Sequence, residues 1–133
     1  MKDNTGKILV LGNCQVSNQS IKKVIKSFRM KMSDFEFVSY DEINKFNFKK
    51  LLGSNKYSDI FIGPTPHKAK NLNGSTSPHQ FLIDNQEELG KIQQLRQKSG
   101  RLGISKDNFE EAIHHSNKLY AETCFKQEIF LTN

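Results

Sequence analysis

Lys7-Ile8-Leu9-Val10-Leu11-Gly12-Asn13-Cys14-Gln15-Val16-Ser17 is the stretch that decides the fold. Its continuous apolar run, Ile8 to Leu11, reads as a strand covered on both faces, as strands of parallel sheets are. A glycine follows at once, then small and polar residues, then a helix signal. Ser17 is an N-cap, and Ile21, Val24, Ile25 and Phe28 recur at i, i+3, i+4 and i+7, one apolar helix face. Strand, glycine loop and amphipathic helix form the first half of a parallel crossover unit.

The pattern then repeats. Phe35, Phe37 and Ser39 alternate with Glu36, Val38 and Tyr40, predicting a second strand. Asp41 caps a segment running to Leu52, with Phe46, Phe48, Leu51 and Leu52 packing on the sheet, and Gly53-Ser54-Asn55 ends it. Asp59 to Ile62 predicts a third strand. Ser77-Pro78 starts a helix, with Phe81, Leu82 and Leu89 facing inward. Ile92 and Leu95 are out of phase for a clean strand over Lys91 to Gln97. Lys98-Ser99-Gly100-Arg101 reads as a turn into a short strand, Leu102-Gly103-Ile104, which predicts a hairpin. Ser105 opens the last helix, whose stripe is Phe109, Ala112, Ile113, Ser116 and Tyr120, reaching Cys124. This order predicts one α/β domain over residues 1–133, with a core at about 6–124. Its tail, 125–133, reads as an edge strand or a partner contact. The expected architecture is a compact three-layer sandwich around a mostly parallel sheet of about five strands with an antiparallel edge.

Right-handed crossovers wrapping opposite faces give a strand order beginning 2-1-3. The exit loops of strands one and three then flank the switch point, where open α/β sheets bind ligands. Candidate ligand-binding residues are Gly12, Asn13, Gln15 and Ser17 from the first loop. The second loop adds Gly63, Thr65, His67, Lys68, Lys70 and Ser75. Gly12 permits close backbone approach, and Ser17 and the helix N-terminus favour an anion. Asn13 and Gln15 both donate and accept hydrogen bonds. Pro64 and Pro66 restrain the root of the long second loop, Lys68 and Lys70 carry positive charge, and Asn73-Gly74-Ser75 suits a phosphate nest. Neither GxGxxG nor GxxxxGK[ST] is present, so the usual dinucleotide and Walker signatures are missing. Cys14 and His67 are catalytic candidates, because a thiol at a helix N-terminus is easily ionised and a histidine across the switch point can act as its base. No third ligand accompanies the histidines, so no metal is expected, and no cofactor either.

Lys and Arg outnumber Asp and Glu by 20 to 14, a net charge of +6. Such a surplus attracts nucleotides, phosphorylated metabolites and nucleic acid. Lys22, Lys23, Lys26 and Arg29 lie largely off the apolar stripe of the first helix. The longest apolar run is far too short to span a membrane, and Met1 to Gly6 lacks the apolar core of a secretory signal. Cys14 and Cys124 form no CxxC pair, so neither a disulfide framework nor a zinc site is expected. The expectation is a cytoplasmic protein with reduced thiols and no membrane partner. An edge strand or the tail is compatible with a homodimer.

Gly12-Asn13-Cys14-Gln15 together with Gly63-Pro64-Thr65-Pro66-His67 resembles small bacterial Rossmann-like proteins. Those carry a Gly-x-x-Gln loop after strand one and a Gly-Pro-x-Pro-His loop after strand three. The resemblance runs from about Lys7 to Ala112 and includes Leu102-Gly103-Ile104-Ser105-Lys106. It implies a Rossmann-like or flavodoxin-like fold with its site at those two loops, and it implies no activity. Gly12-Asn13-Cys14-Gln15 is also similar to the opening motif of polysaccharide-biosynthesis acyltransferases. The function expected is binding or sensing of a nucleotide-like or otherwise phosphorylated small molecule, in a bacterial or phage accessory or signalling role. One alternative is a small hydrolase or acyltransferase using Cys14 with His67. Another is nucleic-acid binding through the basic first helix and the second loop.

Overall fold

A computed structural model describes residues 6–12, 14 and 16–120. Four strands form one sheet: β1 (Lys7–Leu11), β2 (Phe35–Val38), β3 (Tyr57–Ile62) and β4 (Lys91–Gln94). Their order is β2-β1-β3-β4, and all three pairings are parallel. The helices are α1 (Asn18–Ser27), α2 (Tyr40–Ile43), α3 (Pro78–Asp84) and α4 (Lys106–His114), with short 3-10 turns at Met32–Asp34 and Phe48–Leu51.

Period-two alternation sends β1 to two cores at once. Ile8 and Val10 pack with Ile21, Val24 and Ile25 of α1 and with Phe109, Ala112 and Ile113 of α4. Leu9 and Leu11 pack on the other face with Ile43 of α2 and Phe81 and Leu82 of α3. β3 divides the same way, Phe61 to the first core and Ile60 and Ile62 to the second. A sheet covered on both faces needs apolar runs in its central strands, and the Ile8–Leu11 run is the sequence record of that burial. Serine caps start each helix: Ser17, Ser39, Ser77 and Ser105 all accept a hydrogen bond from a first-turn backbone N–H.

The structure corrects the sequence reading in three places. The sheet has four strands rather than about five, and the described residues show no antiparallel edge. Lys91 to Gln94 is itself a strand, parallel to β3. Ile92 and Leu95 looked out of phase because they serve opposite cores. Residues 97–101 do turn, held by Gln97 N–H to the Arg101 carbonyl at 2.9 Å. The return limb makes only isolated bridges, Arg96 with Leu102 and Cys14 with Ile104. It crosses the end of the sheet over Gly63 instead of running beside β4, because Ile104 lies where a Gly63 Cβ would be, 2.7 Å from its Cδ1. Finally, Ser39 rather than Asp41 is the cap after β2, and the helix it starts is one turn long. Asn47 interrupts the remainder before Phe48 and Leu51 re-enter the second core. The predicted tail, 125–133, lies outside the described residues.

The amino end of the sheet is locked by polar contacts. Asp59, in the middle of β3, is fully buried. Its carboxylate accepts the Ser58 hydroxyl at 2.7 Å and the backbone N–H groups of Asn117 and Lys118 at 2.8 and 3.0 Å. A buried anion thus meets the start of the helical turn at 117–120, where peptide dipoles favour negative charge. Lys118, also buried, donates to the Gly6 carbonyl at 2.9 Å and lies 3.7 Å from the Asp34 carboxylate. Nearby, the Tyr57 hydroxyl donates to Glu36 at 2.6 Å, and the Lys56 ammonium sits 3.1 Å from the same carboxylate. Burial, followed by the bond to Glu36, pushes the Tyr57 phenol up to about 12. For Glu36, burial acts upward but is outweighed by Tyr57 and Lys56, which hold the carboxyl below its ordinary value.

Asp59→Ala strips two buried N–H groups of their acceptor and is expected to cost about 3 kcal/mol in chemical denaturation. An effect below about 0.5 kcal/mol, the scale of ordinary surface substitutions, would show that the lock contributes nothing. The Tyr57 phenol has a higher pKa folded than unfolded, so its contribution is complete below pH about 10 and is lost as pH rises towards about 12. Denaturation at pH 9 and pH 11.5 is therefore expected to show a drop in stability that Tyr57→Phe reduces.

Candidate functional site

At the carboxyl ends of β1 and β3 the two exit loops touch backbone to backbone. Gly12 N–H donates to the Val38 carbonyl and Gly63 N–H to the Leu11 carbonyl, at 2.9 and 2.7 Å, extending the ladders by one step. Gly12 has φ +107°, and a Cβ on it would lie 2.5 Å from the Pro64 carbonyl oxygen. No L side chain fits that conformation or that space. The expected adjacency of the two loops is therefore present. The buried Ile104, packed with Cys14 and Phe61 and set over Gly63, fills the first-core side of this junction.

The second loop folds away over the other core. Leu72 is buried there and Ala69 packs against the same cluster. The Asn71 carbonyl accepts from Lys49 N–H at 3.1 Å, and Asn71, Asn73 and Gly74 take positive φ values that curl the chain. Ser75 is committed to α3, donating to the Asp84 carboxylate at 2.9 Å. Thr65 is half-buried, while His67, Lys68 and Lys70 are exposed. Ser17 serves as the α1 cap, accepting from Ser20 N–H at 3.2 Å. Asn13 and Gln15 lie outside the described residues.

A cleft of about 510 Å³ opens on the β1–β2 side of the same sheet end. Gly12 and Cys14 lie at its β1 end. Val16, Ile21, Met32 and Phe37 give it apolar walls, and Asn18, Lys22, Ser39 and Glu42 line it with polar groups. No described residue of the second loop is among its lining. Its β2 side is rigid: Glu42 accepts the Ser39 hydroxyl at 2.8 Å and the Ser39 N–H at 3.2 Å. Those two bonds hold the Glu42 carboxyl below its ordinary value. On the facing side, α1 has no acidic residue in its first turn. The backbone N–H groups of Asn18 and Gln19 have no intrahelical acceptor, as in any first turn.

Burial pushes the Cys14 thiol up, opposite to the shift an activated nucleophile needs. Among the described residues no hydrogen bond joins Cys14 to His67. The cleft residues Lys22, Met32, Phe37, Ser39 and Glu42 were not legible as a set, since they come from four separate elements. One signal was available: Ser39-x-x-Glu42 is the capping-box pattern, and it fixes where β2 hands over to its exit helix. The described residues contain no cluster of His, Cys, Asp and Glu fit to hold a metal ion, and no helix long and apolar enough to cross a membrane. Comparison with protein-family models, with curated proteins and with solved structures finds no match for this chain, so its function is read from this geometry and from the residues of its two loops.

Proposed function

We propose that the chain binds a nucleotide-like phosphorylated small molecule in the cleft over the carboxyl ends of β1 and β2. The observation that carries this reading is the position of the cleft, which Gly12 and Lys22 line, against an acid-free helix start. First-turn N–H groups and the macrodipole favour an anion there, and Lys22 adds a full positive charge. The apolar walls, Phe37 and Met32 above all, suit a planar base, while Ser39 and Glu42 offer hydrogen-bond partners for sugar hydroxyls. The volume falls within the usual range for small-molecule sites, roughly 300 to 1,000 Å³. Carboxyl ends of parallel strands are also where such sheets bind ligands in general. Relative to the sequence reading, the ligand moves from between β1 and β3 to between β1 and β2, because Ile104 and Pro64 pack into the former.

A thermal-shift titration with AMP tests this placement. Saturable stabilisation is expected, about 2.7 kcal/mol at 100 times the dissociation constant. Lys22→Ala is expected to weaken AMP binding about fivefold, the loss of roughly 1 kcal/mol of exposed charge attraction. Lys68→Ala, on the second loop, leaves binding unchanged. Bound AMP should also slow alkylation of Cys14 in a Cys124→Ser background. Binding lost in Lys68→Ala but kept in Lys22→Ala would return the site to the β1–β3 junction. No shift with AMP would reject the nucleotide reading.

A further inference from the structure

We propose that the natural ligand of the cleft is the terminal nucleotide of a single-stranded nucleic acid, whose following phosphates run along α1; this rests on the nucleotide reading of the cleft given above. With 3.6 residues per turn, Asn18, Lys22 and Lys26 fall within an arc of about 80° on one flank of α1, and exposed Arg29 follows just beyond its end. Asn18 and Lys22 line the cleft, so the stripe begins at the ligand and leads away from it. From Asn18 to Lys26 it extends about 12 Å, at 1.5 Å per residue. Phosphates rise about 3.4 Å apart along one strand of a duplex and lie further apart when extended, so the stripe spans two or three of them.

Three further facts make this flank a surface for a polyanion. Lys22, Lys26 and Arg29 are all exposed, and none takes part in an ion pair among the described residues. The acidic residues Asp107, Glu110 and Glu111 of the adjacent α4 share a groove with Phe28, and none of them pairs with a cation of α1 among the described residues. The cleft from which the stripe starts also carries Met32, which is 41% exposed, and half-buried Phe37 in its wall. A cationic track ending at an apolar, aromatic platform is the arrangement that recognises single strands, the track taking phosphates and the platform a base. A free mononucleotide would use the platform and leave Lys26 and Arg29 idle.

The test compares AMP with a 5′-phosphorylated decaadenylate by fluorescence and calorimetric titration of the whole chain. The decamer is expected to bind at least tenfold more tightly than AMP in 50 mM salt. Three phosphate contacts on a single strand predict a log–log salt slope of about −2, or about a twentyfold loss between 50 and 200 mM. In the double variant Lys26→Ala/Arg29→Ala, decamer affinity should fall about tenfold while AMP affinity stays within twofold. Phe37→Ala, checked for folding by its denaturation curve, should weaken both ligands. If AMP binds and the decamer binds no tighter, the inference falls and the nucleotide site stands. Decamer binding that excess AMP does not displace, or that the double variant retains in full, places the strand elsewhere and also overturns it. If neither ligand binds, both readings fall together.

Discussion

The carboxylate of Asp59, fully buried in the second neighbour of the sheet edge, is the interaction that the rest of this architecture must accommodate. An isolated buried carboxylate is far too costly to keep ionised, so its partners have to be supplied by fixed structure. They are the Ser58 hydroxyl and the backbone N–H groups of Asn117 and Lys118, more than fifty residues downstream. To deliver those N–H groups the chain must complete β4 and α4 and return to the start of β3. Lys118 then reaches Gly6 and Asp34, tying that same return to the beginnings of β1 and β2. One polar cluster therefore gathers β1, β2 and β3 at their amino ends.

The carboxyl ends follow a different rule. There the contacts are backbone against backbone, through Gly12 and Pro64, and side chain against bare backbone, through Ile104 and Gly63. Contacts of this kind depend on shape and not on charge, and they hold the exit loops close without consuming polar groups. The N–H groups at the start of α1 consequently remain without side-chain anions in the first turn. Buried charge is concentrated at one end of the sheet, and the open cleft lies at the other. That separation lets the cleft carry Lys22 and Glu42 at its surface while the buried charges stay matched elsewhere.

Much of the fold was legible because it rests on local rules. The Ile8–Leu11 run, the Ser17 cap and the Ser77-Pro78 start each encode their element within a few residues, and right-handed crossovers then dictate β2 beside β1 beside β3. Lys91 to Gln97 looked out of phase as the first limb of a hairpin because Ile92 in β4 and Leu95 just after it serve opposite cores, a distinction visible only once both cores exist. The return limb at 102–104 imitated a strand, since local sequence cannot reveal that Gly63 leaves a berth for Ile104 across the sheet end. Of the first-loop residues that the sequence singled out, Gly12 and Cys14 line the cleft, whereas Ser17 serves as the α1 cap. The sequence reading assigned the second loop to the ligand on the strength of its length and composition. Leu72 and Ala69 explain the length differently: the loop has its own apolar anchors and covers the second core.

The placement of charge gives the surface a polarity that a net +6 does not convey. Lys22 on α1 lies at the cleft beside Phe37 of β2, and the carboxylates of α4 line a groove with Phe28. Both helices cover the same face of the sheet, so this sorting is imposed on neighbours that could have paired across their contact. An α1–α4 ion-pair ladder at the surface would have added little stability, typically under about 1 kcal/mol per pair. Keeping the signs apart sacrifices only that small gain and leaves a coherent positive field beside the cleft. A field of that kind acts at a distance of about a Debye length, roughly 8 Å in physiological salt, before any contact forms. On the α1 side of the sheet end that field lies beside Phe37 and Met32, which give the cleft an apolar surface that charge alone cannot.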